Sequence, residues 1–199
     1  MINGVRVQGN KETREHVIVR EARVAPPELY DAEKVSKIPQ RLSRMNIFSS
    51  IREPELYVGR DGGEILISVE EGNTNTFDGV IGYIPGVQTG ESGFITGMVN
   101  VIMRNLFGTA RKLDVRWQRD DRHSQEIGVR YAEPWVFNVP INLSGIFFQR
   151  QQDTIYVRRV LGLNTEMMLS DVFSVGGTLQ QENIIPSTTV AAQAVSNSR

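Results

Sequence analysis

From Asn73 onward the chain is written in period two. "RKLDVRWQR" sets Leu113, Val115 and Trp117 against Asp114, Arg116 and Gln118. "QEIGVRYAE" repeats this with Ile127, Val129 and Tyr131 against Glu126, Gly128 and Arg130. Ile95, Val99, Val101 and Met103 oppose Thr96 and Asn100; Ile141 and Leu143 oppose Asn142 and Ser144. Phe173, Val175 and Leu179 oppose Ser174, Thr178 and Gln180. Ile155, Val157, Leu161 and Leu163 share one face, which Arg159 breaks. Successive strand residues point to opposite faces, so these runs predict two-faced β-strands and leave no room for helices. About seven such strands follow Asn73, with an eighth possible start in "TTVAAQAVSNSR".

Before Asn73 the pattern is mixed. Ile2, Val5 and Val7 form a short run that ends at Gly9-Asn10. Thr13 reads as a helix N-cap before "REHVIVREA", and "APP" at Ala25–Pro27 stops that helix. A second helix starts near Asp31. Its stripe is Val35, Ile38, Leu42, Met45 and Phe48, with a kink or restart expected at Pro39. "IREPELYV" and "EILISVEE" then flank Asp61-Gly62, a hairpin signal. The order is β-α-α-β-β, with sheet strands expected over roughly residues 2–8, 52–58 and 64–71. The domains read as 1–72 and 73–199.

Composition removes several function classes. The 22 basic and 23 acidic residues nearly cancel, so no bulk electrostatic attraction to nucleic acid is encoded. There is no cysteine, hence no disulfide or Cys metal site. No run of 18 apolar residues predicts a membrane helix, and "MINGVRVQGN" has no leader pattern. His16 reads as a surface residue of the first helix, and His123 sits in the loop "RDDRHS". "GGE" and "VGGT" are too short for phosphate loops, and Ser92 lacks the spacing of a nucleophile elbow. Glu70 and Glu71 read as a solvated strand end. No catalytic residue, cofactor or metal site is expected, and the chain does not read as an enzyme.

Alternation alone leaves a soluble sandwich and a membrane barrel open. Two details favour the barrel. Ionised groups occupy the middle of strands, as a water-filled lumen tolerates. Trp135, Phe137 and Phe107 lie near one set of turns, as an interfacial aromatic girdle does.

The residues also carry a resemblance. "GNKETREHVIVRE" resembles the opening helix of POTRA domains, and "QRLSRMNIFSSI" looks like their second helix running into a strand. "VEEGNTNTFDGVIGY", "ESGF", "NLFGTARKLDV" and "YAEPWVF" resemble the POTRA-to-barrel junction and first strands of the BamA-type outer-membrane assembly proteins. The matches run in order to about Gln149. The implied fold is an α+β POTRA module followed by seven or eight strands of an antiparallel transmembrane barrel. Family barrels are implied to have about sixteen strands, so an incomplete barrel and a fragment are expected, as the missing C-terminal aromatic residue also suggests.

What the resemblance implies about function is mechanical. A POTRA sheet edge over Arg52, Glu53, Glu55, Leu56, Tyr57 and Val58 is expected to bind unfolded client or accessory proteins by β-augmentation, interrupted at Pro54 or protected by it. The first barrel strand, Phe77, Asp78, Gly79, Val80, Ile81, Gly82 and Tyr83, is expected to form a weak seam that templates client strands. Gly79 and Gly82 would weaken packing there, or fit the strand to tight curvature. Expected partners are unfolded outer-membrane proteins, periplasmic or lipoprotein accessory subunits and outer-membrane lipid, with the POTRA module in the periplasm of a Gram-negative-type bacterium. A secretion pore exporting one partner protein, a barrel anchoring an upstream hydrolase, and a soluble sandwich are the alternatives.

Overall fold

The structure is a computed structural model that describes residues 1–60, 62–86, 88, 90–153 and 156–186. The chain divides into two compact units. The first is Met1–Asn75 together with Met103–Arg111; the second is Thr76–Ile102 and the chain from Lys112 onward.

The first unit is α+β. Its elements are β1 (Ile2–Gln8), α1 (Glu15–Ala22), α2 (Ala32–Ser36), α3 (Ile38–Ser43), β2 (Phe48–Ile51), β3 (Glu55–Gly59) and β4 (Gly62–Glu71). β4 is central: β1 pairs with it in parallel, while β2 and β3 pair antiparallel along successive parts of its other side. The register of β1 shifts between Ile2 and Gly4. That bulge explains how Ile2, buried, can serve the same core as Val5 and Val7, which lie three and five residues on rather than two and four.

The helices restart where the sequence indicates. Asp31 caps α2 by accepting from the Lys34 N–H at 3.1 Å, and Pro39 occupies the first turn of α3, where its missing N–H costs nothing. Val35, Ile38, Leu42 and Met45 are buried against Ile65, Ile67 and Val69 of β4, with Val17, Ile18 and Ala22 of α1 completing the core. Three details differ from expectation. Phe48 starts β2 rather than ending the helical stripe. α1 ends at Ala22, before the prolines, because Arg23 takes the left-handed conformation and donates its N–H to Arg20. Thr13 is not the cap of α1; Arg14 holds that position without a side-chain bond.

The second unit is one antiparallel sheet: β5 (Asn75–Ile84), β6 (Phe94–Leu106), β7 (Arg111–Arg119), β8 (Gln125–Glu133), β9 (Ile141–Gln152), β10 (Tyr156–Met168) and β11 (Ser174–Pro186). Neighbours in sequence are neighbours in space, from β5 at one end to β11 at the other. Among the described residues the sheet does not close, as expected of an incomplete barrel. The eighth strand considered for "TTVAAQAVSNSR" lies outside the described residues, as do Asp61 and Ile155. The nine-residue strands β7 and β8 span about 30 Å. Tilted by about 40°, such a strand covers roughly 23 Å of membrane normal, close to the apolar band of outer-membrane barrels.

Leu42 is fully buried. Its replacement by Ala is expected to destabilise the first unit by about 2–5 kcal/mol. Denaturant unfolding followed by amide exchange in Ile65 and Ile67 measures this, and a loss below about 1 kcal/mol would place Leu42 outside the core.

Candidate functional site: two sheet edges and a two-faced sheet

The first edge belongs to the α+β unit. The strand expected over Arg52 to Val58 is shorter: Arg52, Glu53 and Pro54 fall in the break between β2 and β3, and only Glu55, Leu56, Tyr57 and Val58 lie in β3. The reason is Pro54, which has no N–H to donate to a ladder. Arg52 still donates its N–H to the Ser68 carbonyl at 3.0 Å, so the break is local. Among the described residues β3 pairs with β4 on one side only, from Glu55↔Leu66 to Gly59↔Gly62. Its side chains are exposed: Leu56 39%, Tyr57 53% and Val58 79%. Tyr57 donates its hydroxyl to the Glu55 carboxylate at 2.6 Å, and that bond, with the adjacent negative charge, raises the phenol above its ordinary pKa.

The second edge is β5. Phe77, Asp78, Gly79, Val80, Ile81, Gly82 and Tyr83 all lie within it, and among the described residues its one neighbour in the sheet is β6. Phe77 (76%), Val80 (72%), Ile81 (67%) and Tyr83 (67%) are exposed, a dense apolar display on a strand whose other flank carries no ladder among the described residues. The glycines act on the paired flank instead. A Cβ on Gly79 would lie 2.7 Å from the Met98 carbonyl oxygen, and one on Gly97, at φ 144°, would collide with the Val80 carbonyl. Gly79 thus permits close approach of β5 to β6. Gly82 is less constrained, with Thr96 Cγ2 at 3.4 Å from a built Cβ. Asp78 accepts from the Asn100 amide at 3.2 Å, which fixes these two on one face.

The ladders of β7 to β11 sort side chains by face. Leu113 opposes Tyr131, Val115 opposes Val129, and Trp117 opposes Ile127. Asp114 opposes Arg130 and Gln118 opposes Glu126 on the other face. The apolar face continues through Phe147 to Leu161, and through Leu163 to Leu179. Arg159 interrupts it as the sequence indicates, donating to the Gln149 side chain at 2.9 and 3.1 Å. The polar face holds Arg158 paired to Glu182 at 2.7 Å. It is less uniform than the alternation suggests. Ile146 and Phe148 also lie on it, beside Gly162 and Gly128, where a Cβ would meet them at 3.5 and 3.8 Å. The glycines leave room for those large side chains.

Aromatic residues at the turns are displayed. In the second unit Phe137 is 93% exposed in a short 3-10 turn, Val136–Asn138, which follows Trp135. Phe107, in the first unit, is 74% exposed. Both phenylalanines have positive φ, 56° and 57°, which is uncommon for bulky side chains. His16 is exposed on α1, and His123 lies 3.9 Å from the Asp153 carboxylate at the surface.

One partly buried polar group was not anticipated. Glu71 is not simply a solvated strand end. Its carboxylate accepts from the backbone N–H of Glu12 at 2.9 Å and of Thr13 at 2.6 Å. Partial burial works to raise its pKa, but the bonds from the Thr13 side chain and from the N–H groups of Glu12, Thr13 and Lys11 outweigh that and hold it below the ordinary Glu value.

The fold defines a class: an α+β module followed by an antiparallel sheet of two-faced strands that does not close among the described residues. Residues 1–72 match the family described as "POTRA: Surface antigen variable number repeat", so the first unit carries a POTRA domain. The chain is 35% identical over 109 residues to "Outer membrane protein assembly factor BamA" of Nitratidesulfovibrio vulgaris (strain Hildenborough), covering 54% of this chain and 13% of that protein. Its fold is similar to that of BamA from Haemophilus ducreyi lacking POTRA domains 1–3, with TM-score 0.61, 18% identity, and coverage of 92% of this chain and 36% of that one. It is also similar to CdiB from Acinetobacter baumannii, with TM-score 0.57, 15% identity, and coverage of 95% and 40%. The chain therefore spans well under half the length of the proteins it matches.

Two outcomes follow. Val115→Arg in the membrane-embedded protein is expected to cost roughly 2–4 kcal/mol near the midplane, measured by denaturant unfolding in lipid; an unchanged stability would place Val115 away from lipid. Because the folded pKa of Glu71 is lowered, its contribution to stability is present above the unfolded value of about 4.3 and is lost as pH falls through the folded value. Glu71→Gln should remove that part of the acid sensitivity of the 10–13 loop, read by exchange at Glu12 and Thr13. Equal acid sensitivity in the variant would contradict it.

Proposed function

We propose that this chain is a POTRA-bearing part of an outer-membrane protein assembly or insertion factor. Residues 1–72 work as a periplasmic domain and the strands from Asn73 onward as the start of the barrel. The role is non-enzymatic: it supplies sheet edges to chains whose backbone groups have no partner. In lipid each unpaired N–H or C=O costs several kcal/mol, so a strand that offers a ladder lowers the barrier for a client to enter. The observation that carries this reading is β5, a strand with one flank unladdered among the described residues and five exposed large apolar side chains. Its edge templates a client strand. β3, through Glu55, Leu56, Tyr57 and Val58, binds unfolded clients or periplasmic and lipoprotein accessory subunits by β-augmentation, with the Pro54 break limiting the augmented strand. The other partner is outer-membrane lipid, against the face of Val115 and Phe147.

Sequence similarity to a named assembly factor favours assembly over export of a single partner protein or anchoring of a hydrolase.

A seam crosslink tests the role of β5. Gly79 is a poor anchor, because a side chain there meets the Met98 carbonyl. Ile81→Cys paired with a cysteine in the closing strand of the complete barrel avoids this. The expected result is that oxidation arrests client insertion into vesicles and reduction restores it. Insertion at full rate with the crosslink complete would rule out lateral opening at β5.

A further inference from the structure

We infer that the patch around Arg159, on the apolar face of the sheet, binds the phosphate of an anionic lipid headgroup. The inference rests on the lipid contact proposed for that face.

The cross-strand rungs place Arg159 where the face changes character. Arg159 opposes Gln149 of β9 on one flank and Asn183 of β11 on the other. Gln149 opposes Ile127, which opposes Trp117. In the next rung on one side stand Val115, Val129, Phe147 and Leu161. In the next rung on the other side Gln125 opposes Gln151, and its amide donates to the Gln151 side-chain oxygen at 3.4 Å. Hydrocarbon side chains thus give way to amides across the rung of Arg159. Trp117, in that same rung, is a residue type that collects at membrane–water boundaries.

The spacing agrees. From Met167, which opposes Ile141 and Val175, to Arg159 the strand β10 rises roughly 26 Å. At a tilt of about 40° this is roughly 20 Å of membrane normal, against an apolar band of about 25 Å. With Met167 at one boundary, the Arg159 backbone lies within roughly 5 Å of the other, a distance its side chain covers by extending toward the headgroups. The face is also the open one: Leu161 and Leu163 are 47% and 46% exposed, while Val160, on the opposite face of β10, is 9% exposed.

The ligand chemistry follows from what Arg159 leaves unused. Its Nε and Nη2 donate to Gln149 Oε1 at 3.1 and 2.9 Å. That acceptor is neutral, so it fixes the guanidinium without balancing its charge. A guanidinium carries five N–H donors in a planar fork, and Nη1 remains for a ligand. A charge beside hydrocarbon is costly without a counter-ion. A phosphate supplies both the charge and the paired oxygens that the fork matches. Asn183, exposed beside Arg159, adds a neutral donor for the rest of the headgroup.

The test uses the complete protein in phosphatidylcholine bilayers, with Leu161→Cys carrying a fluorophore. Quenching is measured with lipids that bear a nitroxide at one acyl-chain position and a headgroup of either phosphatidic acid or phosphatidylcholine. Phosphatidic acid is expected to quench at a roughly five-fold lower mole fraction. Arg159→Gln should remove that difference while quenching by phosphatidylcholine stays as before. Arg159→Lys should keep part of it, since the charge remains and the fork is lost. Millimolar inorganic phosphate should leave the difference in place. Equal quenching by the two lipids in the protein that retains Arg159 overturns the headgroup site. A difference that survives Arg159→Gln overturns the role of Arg159. A difference abolished by inorganic phosphate assigns the patch to soluble phosphate and overturns the lipid ligand. Quenching by neither lipid is a separate result: it overturns the lipid contact of this face, and the site with it.

Discussion

The structure depends on where backbone hydrogen bonds can go. Hydrocarbon offers none, so every N–H and C=O at membrane depth must find a partner strand. From β6 to β10 each strand has two neighbours, and that requirement is met on both flanks. Among the described residues β5 and β11 each have one. A free flank in lipid is unstable, and it has to be taken by a closing strand, a client or another edge. The proposed function follows from that instability: a seam strand is useful because its flank is costly to leave open.

The side chains support the same division of labour. Large apolar groups stand on one face of β7 and β8 in matched rungs, while the other face is polar and sets Asp114 opposite Arg130. At the first hairpin, Gly79 and Gly97 replace side-chain packing with close backbone approach. β5 is thus held firmly to β6 while its outer flank stays available. In the first unit the Pro54 break separates β2 from the five-residue strand β3, where Leu56 to Val58 are exposed.

Much of this is legible in sequence because it is local and periodic. The two faces of β7 and β8 follow from strict alternation over nine residues, and the helix restart follows from Asp31 and Pro39. The rest depends on distant partners. Thr13 looks like a helix cap because its own neighbours suit one, yet its hydroxyl is held by Asn105, 92 residues away. Glu71 looks like a solvated strand end, and only the folded loop brings the N–H groups of Glu12 and Thr13 onto it. Ile146 and Phe148 defeat alternation because the space for them is made by glycines on the neighbouring strands.

The central claim is that one face of this sheet meets lipid and the other water. A nitroxide scan along β8, one label at each position from Gln125 to Glu133 of the complete protein in lipid bilayers, tests it most directly. The account predicts alternation: access to dissolved oxygen peaks at Ile127, Val129 and Tyr131, and access to a water-soluble paramagnetic complex peaks at Glu126, Gly128 and Arg130. Inverted phase, or equal access of all labels to the water-soluble reagent, would contradict it.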